Sequence, residues 1–164
     1  MTVSWVLFRI VCFFQTAIAA FVVLSSIFGF IQYPSFTDVA RVLLFLLVLL
    51  LSIFAINLIN NNYPDKPVEG SQKTVFNRLF LVNFVFLAFL FGFVFAEYRA
   101  ASRFSQLIDT PIYKLPFYTL ISLITYMLTL LFQFIILYGL YELRRMLYDN
   151  FRRKKFDFEK EQQG

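Results

Sequence analysis

The sequence contains no histidine, a single cysteine and few charged residues. Of its 164 residues, 15% are charged and 60% are hydrophobic, whereas soluble domains have about 25% charged and about 45–50% apolar residues. A chain of this length has too much surface to fold in water with so few polar side chains. The composition, with a mean hydropathy of +0.71, therefore excludes a water-soluble fold and predicts a protein that folds in lipid.

The missing histidine and the lone cysteine also exclude most metal and redox chemistry. Histidine is the commonest metal ligand and titrates near neutral pH. Cys12 alone cannot form an internal disulfide, a zinc cluster or an iron–sulfur centre. We therefore expect no metal and no cofactor. Because no arranged set of nucleophile, acid and base is visible either, the sequence predicts that the protein is not an enzyme.

Four stretches without Asp, Glu, Lys or Arg indicate membrane spans. They cover residues 10–37, 42–64, 79–96 and 115–141. A helix needs roughly 17–25 apolar residues to cross the hydrocarbon, and each stretch is long enough. The sequence therefore predicts an all-α integral membrane protein, specifically an antiparallel four-helix transmembrane bundle.

The predicted spans form one membrane domain over residues 1–140, followed by a tail over 141–164. Their approximate bounds are 10–31, 40–59, 77–98 and 116–140. A cleaved signal peptide is the alternative for the first span, because Ala17-Ile18-Ala19 resembles a cleavage site. The apolar run nevertheless continues to Ile31, well beyond the roughly 7–15 apolar residues of a signal, so we expect the span to be retained.

Local signals predict where two of the helices begin and end. Ser35-Phe36-Thr37-Asp38 has the spacing of a capping box and predicts the start of the second helix. No helix breaker occurs between Ala100 and Leu107. The third helix is therefore expected to continue a turn or two beyond its span.

The distribution of Lys and Arg predicts the orientation. Eleven of these residues lie on the side of the two termini and the middle loop, and four lie on the other side. Basic residues are enriched on the cytoplasmic side of membrane proteins. Both termini are therefore expected in the cytoplasm, at the inner membrane if the source is bacterial. The charge of +5 accordingly indicates a membrane surface as partner rather than nucleic acid.

Small residues recur at helical spacing in two of the spans. They are Ala88, Gly92, Ala96 and Ala100 in the third span, and Ser25 and Gly29 in the first. Small side chains let helix backbones approach closely in lipid. The sequence predicts that these positions form a packing seam between the two helices, with a homodimer seam as the alternative.

Polar residues within or near the spans form two groups. Gln15, Asn83 and Gln133 are predicted in the cytoplasmic third of the bilayer, where amides commonly form interhelical hydrogen bonds. A small polar pocket for a headgroup or hydrophilic ligand is the alternative for them. The charged residues of the non-cytoplasmic side, Arg41 and Glu97 among them, are predicted to be a mutually paired surface rather than a site.

The tail combines an apolar helical face with a basic cluster. The basic residues are Arg144, Arg145, Arg152, Arg153, Lys154 and Lys155. Such a juxtamembrane cluster is attracted to anionic headgroups. The tail is therefore predicted to bind the cytoplasmic lipid surface, and it also serves as a topology signal.

No motif carries a recognisable chemistry, so the predicted function is interaction. The chain is expected to act as an assembly factor, an accessory subunit or a lipid-binding scaffold, together with a membrane protein partner or further copies of itself. A component of an oligomeric transporter or channel is the alternative. No ionisable residue lies near the centre of a span, which disfavours an ion pathway within one copy.

Overall fold

A computed structural model describes residues 3–32, 35–61 and 70–161. The regular structure of these residues is helical throughout. The elements are α1, Val3–Gln32; α2, Phe36–Asn61; α3, Gly70–Leu107; a short 3₁₀ helix, Ile112–Lys114; and α4, Phe117–Glu161. The all-helical class and the four long helices are confirmed.

Each of the four long helices contains a segment that is long and apolar enough to cross a membrane. These segments are Val6–Gln32, Phe36–Leu58, Thr74–Leu107 and Phe117–Met146. The chain is thus a candidate multi-pass membrane protein by the length and composition of its helices. Large apolar side chains are abundant on the outer faces, and Phe21, Phe28 and Phe89 are each about two-thirds exposed.

The predicted helix ends agree with the structure. Ser35 precedes α2, where its hydroxyl accepts a hydrogen bond from the backbone N–H of Asp38 at 3.1 Å and donates one to the Asp38 carboxylate at 2.5 Å. This contact satisfies one of the free N–H groups of the first turn. α3 continues to Leu107, as the absence of a breaker predicts.

The helices pack around two apolar clusters. α1 packs against α2 and α4, and α3 packs against α4. One cluster centres on Phe45, Leu90 and Tyr126, and the Phe93 ring meets the Tyr126 ring edge-on with 5.4 Å between centroids. The other cluster centres on Phe8. Aromatic pairs of this geometry add to the stabilisation from burial alone.

The predicted small-residue seam between the first and third helices is wrong. Ala88, Gly92, Ala96 and Ala100 are all exposed on α3, and a Cβ built on Gly92 meets nothing within 4 Å. α3 instead turns large side chains such as Leu90 and Val94 inward. These side chains bury more apolar area than alanine or glycine does, so the small residues are left on the outer face.

The glycine that does lie in a close contact is Gly139 of α4. A Cβ at this position would collide with the ring of Phe8 on α1. Both residues are buried, and Phe8 is only 5% exposed. Gly139 therefore lets a phenylalanine ring lie directly on the backbone of the neighbouring helix.

α4 runs without a break through residue 140, where the sequence predicts the start of a separate tail. It comprises 45 residues, or about 67 Å at 1.5 Å per residue. Leu143 is still 2% exposed and belongs to the Phe8 cluster. The first turn of the predicted tail is therefore part of the packed helices.

Candidate functional site

Arg41 connects α2 to two other helices near the N-terminal end of α2. Its Nη1 donates to Asp38 Oδ1 at 2.9 Å, and its Nη2 donates to Glu97 Oε1 of α3 at 3.2 Å. The guanidinium carbon lies 5.8 Å from the centroid of the Tyr126 ring of α4. Arg41 thus pairs with both carboxylates, and the three charged side chains are only 19–25% exposed.

The Arg41 guanidinium keeps one donor without a partner. Its Nε is buried and has no hydrogen-bond acceptor among the described residues. An unpaired buried donor costs free energy comparable to a lost hydrogen bond. With one cation and two carboxylates, the triad formed by Arg41, Asp38 and Glu97 carries a formal charge of −1.

A groove lies beside this triad, between α1, α2 and α4. Its volume is about 160 Å³, and we call it the Arg41 groove. Hydroxyl groups from α1 and α4 line it together with apolar side chains. The residues that form its wall include Phe21, Ser25, Ser26, Gly29, Ser122 and Thr125.

A second polar group lies deep between the helices. Gln15, Asn83 and Gln133 have no exposed surface. Gln133 Nε2 donates to Asn83 Oδ1 at 2.8 Å, joining α4 to α3, and Gln15 Nε2 donates to the backbone carbonyl of Thr129 at 3.2 Å, joining α1 to α4. The structure thus brings Asn83 and Gln133 together, and it connects Gln15 to the same helix.

These buried amides are incompletely paired. The Oε1 atoms of Gln15 and Gln133 and the hydroxyl of Ser52 have no hydrogen-bond partner among the described residues. Asn83 is better satisfied, because its Nδ2 also donates to the carbonyl of Leu79 at 2.9 Å. The amides therefore connect helices and still leave acceptor oxygens free in the interior.

The basic residues predicted for the tail have different environments. Arg144 is half-buried, and its Nε donates to Asn77 Oδ1 of α3 at 2.7 Å. Arg145 and Arg152 are exposed. The side chains of Arg153, Lys154 and Lys155 lie outside what the structure describes. Arg144 therefore contacts α3 through Asn77. The predicted binding of the tail to the lipid surface does not account for this contact.

Ser25 and Gly29, the small pair predicted for a seam, lie instead on the wall of the Arg41 groove. Both are exposed, and a Cβ at Gly29 meets nothing within 4 Å. Among the described residues, no three His, Cys, Asp or Glu side chains form a group that could hold a metal ion.

Comparison with known proteins gives no relative, since no family model, curated protein or solved structure matches the chain. The structure therefore defines only the class of protein, which is all-helical with four candidate membrane-spanning helices.

Two features of the site are not predicted from the sequence. The Arg41 groove brings together positions that are far apart in the chain, such as Ser25, Arg41 and Ser122. The close contact of Gly139 with Phe8 is not predicted because Gly139 does not belong to a repeat of small residues. For Arg41 a signal exists, because it is a lone basic residue only three positions after Asp38 and next to an apolar run.

Proposed function

We propose that the chain is an integral membrane protein that acts by interaction rather than catalysis, as an assembly factor, accessory subunit or lipid-binding scaffold. Its four candidate spans are arranged in this proposal as an antiparallel bundle with both termini in the cytoplasm. The eleven-to-four distribution of Lys and Arg supports the orientation. In a bacterium, the membrane would be the inner one.

The observation that supports interaction is the uncovered small-residue face of α3. Ala88, Gly92, Ala96 and Ala100 are exposed along three successive turns, while no residue lies within 4 Å of a Cβ built on Gly92. In lipid, faces of this kind let a second helix approach to backbone contact. We propose that a transmembrane helix of another polypeptide covers this face.

The test compares Gly92→Leu with Phe91→Leu in the full chain. Phe91 is 56% exposed and is rotated by about 100° from Gly92 on the same helix, so its replacement leaves the small face open. Tagged protein is purified from its membrane in mild detergent, and bound polypeptides are identified by native mass spectrometry. Wild type and Phe91→Leu retain the second polypeptide, and Gly92→Leu loses it.

The same experiment separates the forms of the proposal. An untagged copy of the chain in the complex supports a homo-oligomer, the arrangement that an oligomeric transporter or channel also needs. A different polypeptide supports an accessory subunit or assembly factor. Equal retention by Gly92→Leu and Phe91→Leu, or a wild-type protein with no associated polypeptide, contradicts the proposal.

A further inference from the structure

The Arg41 groove is a small space of about 160 Å³ beside the outer face of α1. Its wall combines hydroxyl groups with the apolar side chain of Phe21, which is 66% exposed. A ligand here has a polar group inside the groove and an apolar part along the outer face of α1.

The charges around the groove favour a particular kind of polar group. Arg41 and Asp38 both line the groove, and with Glu97 they carry a formal charge of −1. An anionic ligand is therefore disfavoured overall. The hydroxyl groups of Ser26 and Thr125 nevertheless also line the groove and can donate to an acceptor oxygen. A group with an acceptor oxygen and a separate positive charge satisfies both conditions.

We propose that the Arg41 groove binds the headgroup of a zwitterionic phospholipid. The phosphate oxygens lie toward the hydroxyls of Ser26 and Thr125 and the side chain of Arg41, and the ammonium group lies toward Asp38. The acyl chains follow the exposed apolar side chains of α1. This inference rests on the proposed membrane insertion but not on the proposed association through α3.

Gly29 provides a variant that fills the groove without disturbing the helices. A Cβ at Gly29 meets nothing within 4 Å, and the residue lies on the groove wall. Gly29→Leu therefore places a branched side chain in the space of the headgroup. Phe91→Leu is the control, because Phe91 is exposed on α3 and belongs neither to the groove nor to the small-residue face.

The experiment measures lipid retention by native mass spectrometry of the full chain, titrated with phosphatidylethanolamine, phosphatidylcholine or phosphatidylglycerol. Wild type and Phe91→Leu bind a zwitterionic lipid more tightly than phosphatidylglycerol, and Gly29→Leu weakens that binding at least about tenfold, or about 1.4 kcal/mol. The ethanolamine and choline lipids show which ammonium group the groove accepts. A second variant, Ser26→Ala, removes one donor and weakens binding without filling the groove.

Two results overturn the inference. One is equal retention of the zwitterionic lipid by Gly29→Leu and Phe91→Leu, which would place the lipid elsewhere on the protein. The other is tighter binding of phosphatidylglycerol by wild type, which would mean that the triad does not disfavour anions. Because Gly92→Leu tests the α3 face and Gly29→Leu tests the groove, the two proposals fail independently.

Discussion

Replacing Gly139 by leucine tests whether the contact with Phe8 holds α1 against α4. Even a single Cβ at this position collides with the phenylalanine ring. The ring has nowhere to move, since Phe8 is 5% exposed and the adjacent Leu140 and Leu143 are 1% and 2% exposed. Overpacking of a core costs about 1–3 kcal/mol, and we expect Gly139→Leu at the upper end of this range.

The matched control is Gly92→Leu, where the new side chain enters open space. Replacing a helical glycine improves helix propensity by up to about 1 kcal/mol, and the comparison removes this gain because it applies equally to both sites. For a chain of this size, 1 kcal/mol corresponds to about 2–4 °C in Tm. When both are measured as the isolated chain, freed of any associated polypeptide, Gly139→Leu should therefore unfold about 6–12 °C below Gly92→Leu in the same detergent.

A double variant shows whether the loss comes from the ring itself. Phe8→Ala removes the obstacle and leaves a cavity, which alone costs about 3–5 kcal/mol. If the collision is the cause, the leucine partly fills that cavity, and the double variant is more stable than the sum of the single effects predicts. Equal Tm values for Gly139→Leu and Gly92→Leu, or strict additivity with Phe8→Ala, would refute the reasoning.

Two further predictions concern the amide contact and the orientation. Gln133→Leu removes the donor to Asn83 and should lower the free energy of unfolding by about 0.6 kcal/mol, with about 1.7 kcal/mol as the upper range for such contacts in membranes. Asn83→Leu combined with Gln133→Leu should recover part of the loss, whereas full additivity would show that the two amides act separately. For the orientation, Cys12 is replaced by Ala and single cysteines are placed at the exposed positions Asn60 and Gln106. Only the cysteine at Gln106 should react with an impermeant thiol reagent outside intact cells, and labelling at Asn60 would reverse the proposed topology.

The sequence predicts the four long helices well, because charged residues and helix-start signals mark where the apolar helices begin and end. The four charge-free stretches locate all four long helices, and Ser35 marks the start of α2 through its hydrogen bond to Asp38. Since these are local properties of the chain, they can be recognised without knowing which helices become neighbours.

Which face of each helix lies inside is much harder to predict. In water, burial separates apolar from polar residues, but lipid is as apolar as the interior, so both faces of a span carry the same residue types. On α3, Phe89 is exposed and Phe86 is buried, although the two side chains are identical and only three positions apart. Small size therefore misidentifies the inner face of α3, whereas the amides Gln15, Asn83 and Gln133 lie inside, as expected if the helices span a membrane, because lipid cannot satisfy them.

The polar contacts between α3 and α4 also fix the register of the two helices. Contacts between apolar side chains persist when one helix slides along another, whereas hydrogen bonds are lost because they depend on direction. Asn83 meets Gln133 at one height and Asn77 meets Arg144 at another. Advancing either helix by one residue means a shift of about 1.5 Å and a rotation of about 100°, which would break both contacts together. A helix pair with otherwise interchangeable apolar surfaces thereby has a single alignment.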